Sequence, residues 1–272
     1  MSGRLIVCPT PIGNLEDVTL RVLSALREAD IVACEDTRRS RVLLDRYGVT
    51  APMISYHEHN ERSRAAELVK RMQDGQVVAL VSDAGMPLVS DPGAVLVAAC
   101  IAAGLGVEVL PGPSAVLVAL AVSGLPGDRW RFAGFLPRKA GELRTVFEEG
   151  ATETLVAFES PRRVGASLRV LAELDPDRAV AVCRELTKLH EEVVRGTAAE
   201  LAARYTETDP RGEVVIVIGP AEVADDAEAG LGPALEALRK LVDAGAKPRP
   251  AAHVVADLTG VPANALYKAL TA

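Results

Sequence analysis

Carboxylates, serines, glycines and prolines crowd the segment VSDAGMPLVSDPG, residues 81–93, directly after the strand-like run QVVAL. Gly and Pro hold a backbone in tight turns, and Gly lets a ligand approach the main chain. The stretch Asp91-Pro92-Gly93 has the composition of a helix start with Asp91 as N-cap. Asp83 is not needed as a cap. Its carboxylate could therefore accept hydrogen bonds from a ribose or an amino-acid ammonium, or close an Asx-turn.

Three further turns of this kind follow strand-like runs, namely TPIGNLED, CEDTRRS and PGPSA. Ligands of open parallel sheets bind beyond the carboxyl ends of the strands, so the four turns predict a binding site at one sheet edge. The sequence contains no G-x-G-x-x-G after the first strand and no G-x-x-x-x-G-K-[ST]. It also contains no G-x-S-x-G and no H-E-x-x-H, so the common dinucleotide, P-loop, hydrolase and zincin sites are not predicted.

Metal and disulfide chemistry find little support in the sequence. His57 and His59, in YHEHNE, are two residues apart and cannot share one face of a helix, so no metal site is predicted. The four cysteines lie far apart in apolar runs. This spacing predicts buried thiols in a reducing cytoplasm rather than disulfides.

The composition is that of a globular protein, with 272 residues, 49% hydrophobic residues and a net charge of −7. This charge argues against a general nucleic-acid coat protein, although a local basic face can still bind RNA. Basic clusters occur at residues 38–41, 137–144 and 161–163, and each could contact RNA or simply be solvated. No apolar run reaches the roughly 18 residues of a membrane span, and the N-terminus does not resemble a signal peptide.

Strand-like and helix-like segments alternate strictly in the first half, which predicts a parallel sheet covered on both faces. The short step from CREL to EEVVRG in the second half predicts antiparallel pairing there. We therefore predict an α/β protein with a parallel-sheet domain over 1–117, a mixed-sheet domain over 118–222 and a linker over 223–230. Residues 231–272 are predicted to be helical. A helix pair around Gly260 resembles a helix-turn-helix, which suits nucleic-acid contact or a small helical pack.

The segments TPIGNLEDVTLR, ACEDTR, YHEHNE, SDAGMPLVSDPG, LPGPSA, FAGFLPRKAGELR, FESPRR, RELTKLHEE and RGEVVIVI follow one another in this order. Together they closely resemble the ribosomal RNA small-subunit methyltransferase I family, which has the tetrapyrrole-methylase-like fold. The resemblance spans roughly residues 4–220. Cys8 stands where Ala is common, and Arg162 stands where the family often has His, which puts any imidazole role there in doubt.

The resemblance implies an S-adenosylmethionine-dependent enzyme that methylates the ribose 2′-oxygen of a cytidine in the decoding region of 16S ribosomal RNA. Its implied partner is the small ribosomal subunit. It also implies two α/β domains with the methyl donor in the cleft between them, and a homodimer.

The resemblance further implies which residues form the sites. The residues expected to bind the cofactor are Pro11, Ile12, Asp83, Met86, Ser114, Ala115, Leu186, Val214 and Val215. The catalytic candidates are Lys188, as an oxyanion stabiliser or as a base if burial lowers its pKa, with Glu35 as the alternative base and Asp36 beside it. The candidates for RNA contact are Arg38, Arg39, His57 with Glu58, Arg138, Lys139, Arg162 and Arg163.

Two other functions compete with this one. The first is a C-methyltransferase of the same fold that acts on a tetrapyrrole, although such enzymes usually carry a Gly-rich first loop where this chain has TPIGNLED. The second is a non-catalytic RNA-binding or ribosome-binding factor that docks through residues 231–272.

Overall fold

The computed structural model describes residues 3–149, 151–221 and 227–271. The chain divides into two compact units, Met1–Pro220 and Ala221–Ala272. The larger unit contains two five-stranded sheets with helices, and the described part of the smaller unit is helical. The predicted α/β class with a C-terminal helical segment is confirmed.

The first sheet is wholly parallel, as the strict alternation of strands and helices predicts. Its strands are β1 (Arg4–Val7), β2 (Ile31–Cys34), β3 (Met53–Ser55), β4 (Val77–Val81) and β5 (Gly106–Val109). They lie in the order β3-β2-β4-β1-β5. All carboxyl ends therefore meet at one edge, and the turns singled out in the sequence follow four of them.

Helices cover both faces of this sheet. They are α1 (Leu20–Glu28), α2 (Thr37–Arg46), α3 (Glu61–Gln73) and α4 (Ala94–Ala102). Successive residues of a strand point to opposite faces. Accordingly, Leu5 and Val7 belong to one buried core with Leu96, whereas Ile6 and Cys8 belong to the core on the other face.

The second sheet is mixed. Its strands are β6 (Trp130–Phe135), β7 (Thr154–Glu159), β8 (Ala179–Arg184), β9 (Glu192–Thr197) and β10 (Val214–Ile218), in the order β6-β7-β10-β8-β9. β6 and β7 are parallel, and the other pairs are antiparallel. The antiparallel pairing of β8 with β9 confirms the prediction made for CREL and EEVVRG.

One face of the second sheet carries three helices, α6 (Ala140–Glu149), α7 (Val164–Leu174) and α8 (Ala198–Glu207). The other face is covered by α5 (Ala115–Ser123), which follows the last strand of the first sheet. Val116 and Ala119 of α5 share a core with Val156 and Val217 of the second sheet. The predicted division between residues 117 and 118 therefore falls inside a helix that packs on the second sheet.

The C-terminal unit contains α9 (Ala227–Asp243), α10 (Pro248–Thr259) and α11 (Ala263–Thr271). Leu238, Val255 and Leu266 form the centre of its own core. α10 ends at Gly260, whose φ of 75° is left-handed, so the predicted helix pair around this glycine is confirmed. The predicted linker reached residue 230, but α9 begins at Ala227; residues 222–226 lie outside the described residues.

None of the helices in the described ranges has the length and apolar character needed to cross a bilayer. All four cysteines are buried and free, as the sequence predicts.

Candidate functional site

A cavity of about 340 Å³ lies where the loops of the first sheet meet the second sheet. Small-molecule sites are clefts of roughly 300–1,000 Å³, mostly apolar with a few polar groups. From the first half of the chain, the lining residues are Ile12, Ala84, Gly85, Met86, Val89, Ser90, Asp91, Ser114, Ala115 and Val116. From the second half they are Phe135, Phe158, Glu159, Ser160, Pro161, Leu186, Gly212, Glu213, Val214 and Val215.

The structure brings together most residues that were predicted to bind the cofactor. Ile12, Met86, Ser114, Ala115, Leu186, Val214 and Val215 all line the cavity, although what each contacts stays a prediction. Pro11 and Asp83 are not among the lining residues.

The loops after β1 and β4 are joined by paired main-chain hydrogen bonds. The amide of Thr10 donates to the carbonyl of Gly85 at 2.8 Å, and the amide of Gly85 donates to the carbonyl of Thr10 at 2.9 Å. Gly85 has a φ of +82°, which favours glycine, and a Cβ there would stand 3.4 Å from Cγ2 of Ile12. The glycine of SDAG thus allows the two loops to form one wall of the cavity.

Asp83 connects the loops after β4 and β2. Its Oδ1 accepts a hydrogen bond from the amide of Asp36 at 3.0 Å, and its Oδ2 lies 3.3 Å from Nη1 of Arg39. The carboxylate therefore holds the CEDTR turn beside the SDAG turn. These bonds belong to neither of the two roles predicted for Asp83, which were direct contact with a ligand and closure of an Asx-turn.

Asp91 was predicted to cap a helix, and this prediction is wrong. α4 begins at Ala94, with Gly93 as its N-cap at φ 140°. This position suits glycine because a Cβ there would lie 2.9 Å from Cδ2 of Leu80. Leu88 and Ser90, just before Asp91, have left-handed backbones, a strain that often accompanies functional loops. The loop instead leaves Asp91 at the cavity wall.

The carboxyl of Asp91 is the strongly perturbed acid of the cavity. Burial, followed by the charges of Glu35 and Asp83, raises its pKa to about 6, although a hydrogen bond with Ser82 opposes the shift. A carboxyl that titrates near neutrality in a cleft is a candidate for proton transfer. The sequence analysis did not identify Asp91 as a cavity residue, because the Pro-Gly pair that follows it is typical of a helix start.

Lys188 lies in the loop between β8 and β9 and is held by two carboxylates. Its Nζ is 2.9 Å from Oε1 of Glu185 and 2.9 Å from Oε2 of Glu213. Burial alone would lower the pKa of Lys188, but the hydrogen bonds and charges of the two glutamates outweigh it, so the pKa is raised. The condition under which Lys188 would act as a base, a pKa lowered by burial, is therefore not met, whereas its use as a fixed cation is compatible with the geometry.

The other two catalytic candidates differ in environment. Asp36 is the N-cap of α2, where its Oδ1 accepts the amide of Arg38 at 2.8 Å, and its two oxygens also bind the Arg38 side chain. These hydrogen bonds hold the pKa of Asp36 well below its usual range, so it is a poor proton acceptor. The pKa of Glu35 is raised, chiefly by burial and then by the charge of Asp83, which suits a base better.

Most basic residues predicted to contact RNA are exposed. Arg138 and Arg162 have exposed side chains, and Lys139 is exposed while pairing with Glu142 at 2.9 Å. Arg38 pairs with Asp36 of its own turn, and Arg39 pairs with Asp83 of the loop after β4, but both arginines keep most of their side-chain surface in solvent.

Arg163 and His57 face inward more than predicted. Arg163 donates to the carbonyls of Leu136 and Pro137, and its Nη1 is 3.2 Å from Oε1 of Glu159. This guanidinium therefore ties β6 to β7 and does not belong to a free basic surface. His57 is partly buried and bonds to Asn60, and its Nδ1 is a buried atom that has no partner among the described residues.

Glu159 is a further cavity residue that the sequence analysis did not identify. Its side chain is buried at the end of β7, where Oε2 accepts the hydroxyl of Ser167 at 2.5 Å and Oε1 accepts the amide of Ser160 at 2.7 Å. With Arg163 as counterion, this carboxylate is fully paired. The FESPRR segment thus forms a rigid part of the cavity wall. The signal in the sequence that could have identified Glu159 is a glutamate at the end of a strand-like run.

No cluster of three or more His, Cys, Asp or Glu side chains within the described residues is arranged to hold a metal ion.

Comparison with known proteins supports the fold. Residues 4–202 match the family described as Tetrapyrrole (Corrin/Porphyrin) Methylases. A diphthine synthase superposes with a TM-score of 0.62 at 18% identity, covering 80% of this chain and 90% of that one. The uroporphyrin-III C-methyltransferase from Thermus thermophilus, crystallised with S-adenyl homocysteine, has a TM-score of 0.57 at 20% identity, covering 80% of this chain and 97% of that one.

Curated relatives are much more similar in sequence. A protein of Mesorhizobium japonicum named Ribosomal RNA small subunit methyltransferase I is 49% identical over 270 residues, covering 98% of this chain and 90% of the relative. The protein of the same name from Thermotoga maritima is 44% identical over 221 residues, covering 81% of this chain and all of the relative. One from Neisseria meningitidis is 42% identical over 271 residues, covering 98% of this chain and 92% of the relative. The chain therefore belongs to the ribosomal RNA small subunit methyltransferase I family.

Proposed function

We propose that this chain transfers a methyl group from S-adenosylmethionine to the ribose 2′-oxygen of a cytidine in the decoding region of 16S ribosomal RNA. The observation that carries the proposal is the 49% identity to a curated relative of that family, which extends over 98% of the chain. The segments that carried the resemblance also supply most residues of the cavity.

The cavity suits a molecule with an apolar body and charged ends. Ile12, Met86 and Leu186 offer an apolar surface to a nucleoside. Ser114 precedes α5 in an extended conformation, and its side chain does not cap the helix. Its hydroxyl and the amides of the first turn of α5 can therefore bind a carboxylate, since a helix N-terminus favours negative charge. When bound, S-adenosylmethionine supplies an electrophilic methyl group on a positively charged sulfur.

The residues of the cavity would act mainly by alignment. Methyl transfer is an in-line displacement, and a fixed arrangement of the two reactants supplies much of the acceleration. The ribose hydroxyl must also lose its proton as it attacks. Asp91 lines the cavity, and Glu35, which is outside the lining, is near enough for its charge to act on Asp91; both have raised pKa values and are the carboxyl groups suited to accept that proton. Lys188, which is not a lining residue but pairs with the lining residue Glu213, would stabilise the developing negative charge on oxygen as a permanent cation.

We assign RNA contact to the exposed cations Arg38, Arg39, Arg138, Lys139 and Arg162. A net charge of −7 gives weak non-specific attraction to phosphate, which favours an assembled small subunit with a shaped site over free RNA. From such a substrate we infer that the enzyme acts in the cytoplasm.

We also propose a homodimer. Ile101 of α4, Val109 of the edge strand β5 and Leu117 of α5 are large apolar side chains that are more than half exposed. α4 and α5 are made almost wholly of apolar residues, AVLVAACIA and AVLVALAVS, so they have no polar face for solvent. Helices that are apolar all round are normally covered. Light scattering on the wild type and on Ile101→Asp/Leu117→Asp tests this, because a stable dimer should dissociate in the variant.

Mass mapping of 16S ribosomal RNA from a strain lacking the gene tests the function. A methyl group missing from one cytidine ribose, and restored when the protein is added back with donor, is the expected result. Tritiated donor offered separately to small subunits and to a porphyrinogen distinguishes methylation of RNA from the tetrapyrrole alternative, because the label enters only the true substrate. Donor binding without transfer to either substrate, with subunit binding lost on removal of residues 231–272, would instead favour a non-catalytic factor.

A further inference from the structure

Phe135 is an aromatic side chain that is 63% exposed although it lines the cavity. A single exposed apolar residue is ordinary in a protein surface. This one differs because aromatic residues make up only 3% of the chain, and three of its four phenylalanines, at positions 132, 135 and 158, are gathered beside the cavity.

The end of β6 is built to present this ring. The register between β6 and β7 shifts between Phe132 and Phe135, and bulges of this kind redirect side chains next to functional sites. Gly134, within the shift, has a left-handed φ of 67°. The ring of Phe135 then packs against that of Phe158 at an interplanar angle of 60°, with centroids 5.4 Å apart, and Phe158 in turn packs against Phe132 at 5.0 Å. Phe158 thereby supports the ring while most of the Phe135 surface stays in solvent.

Cations lie close to Phe135 along the chain. Arg138 and Lys139 follow it within four residues and are exposed. Arg162 is exposed directly after Ser160 and Pro161, which line the same cavity. An exposed aromatic ring with exposed cations in the neighbouring segments is a combination that binds single-stranded nucleic acid, where bases stack on the rings and phosphates contact the cations.

We propose that Phe135 is the stacking platform for an unpaired nucleobase of the RNA, the base attached to the ribose that receives the methyl group. This inference rests on the proposed function and adds a base-binding subsite to it. The adenine of the donor is the less suitable partner. Ile12 and Leu186, which are expected to bind the donor, are buried, whereas Phe135 faces the solvent from which the RNA arrives.

The test uses the full chain and small subunits from a strain that lacks the gene. The variants are Phe135→Ala, Phe135→Tyr and, as matched control, Trp130→Ala. Trp130 is an aromatic residue at the opposite end of the same strand, 37% exposed, and does not line the cavity. The measurements are kcat and KM for subunits, the donor Kd by calorimetry, and the mass in solution.

We expect Phe135→Ala to lower kcat/KM for subunits about ten- to a hundredfold, the range expected for the loss of one stacked base. Its donor Kd should stay within about twofold of wild type, Phe135→Tyr should recover most of the activity, and Trp130→Ala should behave as wild type.

Three results for Phe135→Ala would overturn the inference. The first is an unchanged kcat/KM for subunits. The second is a loss confined to donor affinity, which would mean that the ring contacts the donor, and the third is a change of oligomeric state, which would mean that the ring lies between two copies of the chain. Absence of methyl transfer by the wild type would overturn the proposed function itself, and the subsite with it.

Discussion

The amide of Asn14 donates a 3.1 Å hydrogen bond to the hydroxyl of Thr187, and so joins the first loop of one sheet to the loop between β8 and β9 of the other. The two loops approach closely beside this bond. A Cβ on Gly13 would lie 2.4 Å from Cγ of Lys188 and 3.0 Å from the carbonyl oxygen of Leu186. The glycine of TPIGN is therefore needed so that RELTK can form its part of the cavity wall.

Substituting Gly13 should loosen this junction. We expect Gly13→Ala to destabilise the protein by about 1–3 kcal/mol, the usual cost of an overpacked contact, and to weaken donor binding because Leu186 must shift. Urea unfolding and calorimetry measure the two effects. Gly141→Ala in α6 is the matched control, since a Cβ there meets nothing within 4 Å. A Gly13→Ala variant as stable as this control would contradict the packing argument.

Lys188 should act through its charge and not through proton transfer. We expect Lys188→Met to lower the single-turnover rate at saturating donor about a hundredfold, comparable to removal of one oxyanion-stabilising donor. Lys188→Arg, which keeps the charge, should retain more of the rate. Full turnover by both Lys188→Met and Glu35→Ala would leave alignment alone as the source of the acceleration.

Asp91 should make stability depend on pH. Its ordinary pKa is 3.8 and its folded pKa is about 6, so between these values the folded chain holds a proton that the unfolded chain has lost. The stabilisation present below about pH 4 is therefore lost as the pH rises towards 6. Asp91→Asn, which resembles the protonated form, should match wild type near pH 4 and exceed it by about 1–2 kcal/mol above pH 6, after allowance for partial exposure.

Urea unfolding of the wild type and of Asp91→Asn at several pH values measures this difference in stability. Asp177→Asn changes an exposed carboxylate in a turn, and it should stay within about 0.5 kcal/mol of wild type at each pH. If Asp91→Asn were less stable than wild type at pH 7, the charged form of Asp91 would be stabilised in the fold, and its assignment as a proton acceptor would fail.

Patterns with a short period were enough to predict the two sheets, because strand and helix periodicity is set by neighbouring residues. They predicted that the first sheet is parallel and that ligand-binding turns follow four of its strands. They did not reveal that α5 covers the second sheet, since an all-apolar helix fits either surface. They also did not predict that Asp91 lies at the cavity wall, because its position depends on the left-handed backbones of Leu88 and Ser90.

Arg162 and Arg163 show the same limit in adjacent residues. The PRR segment predicted two equivalent cations, but only Arg162 is exposed, whereas Arg163 bonds to main-chain carbonyls and to Glu159. A basic dipeptide carries no local signal for which side chain turns inward. The difference arises from the position of the carbonyls of Leu136 and Pro137 on a distant segment.

The pair also separates RNA contact from folding. We expect Arg162→Ala to weaken subunit binding while leaving the free energy of unfolding within about 0.5 kcal/mol of wild type. The slope of log K against log salt should fall by about one, as for the loss of one phosphate contact.

Arg163→Ala should do the reverse. It leaves the buried carboxylate of Glu159 without its counterion, so we expect about 3 kcal/mol of destabilisation with little change of the salt slope. Subunit binding titrated at several salt concentrations, together with urea unfolding, measures both quantities. An unchanged salt slope in Arg162→Ala would remove this arginine from the RNA surface, because an exposed cation that meets a phosphate must release a counterion when it binds.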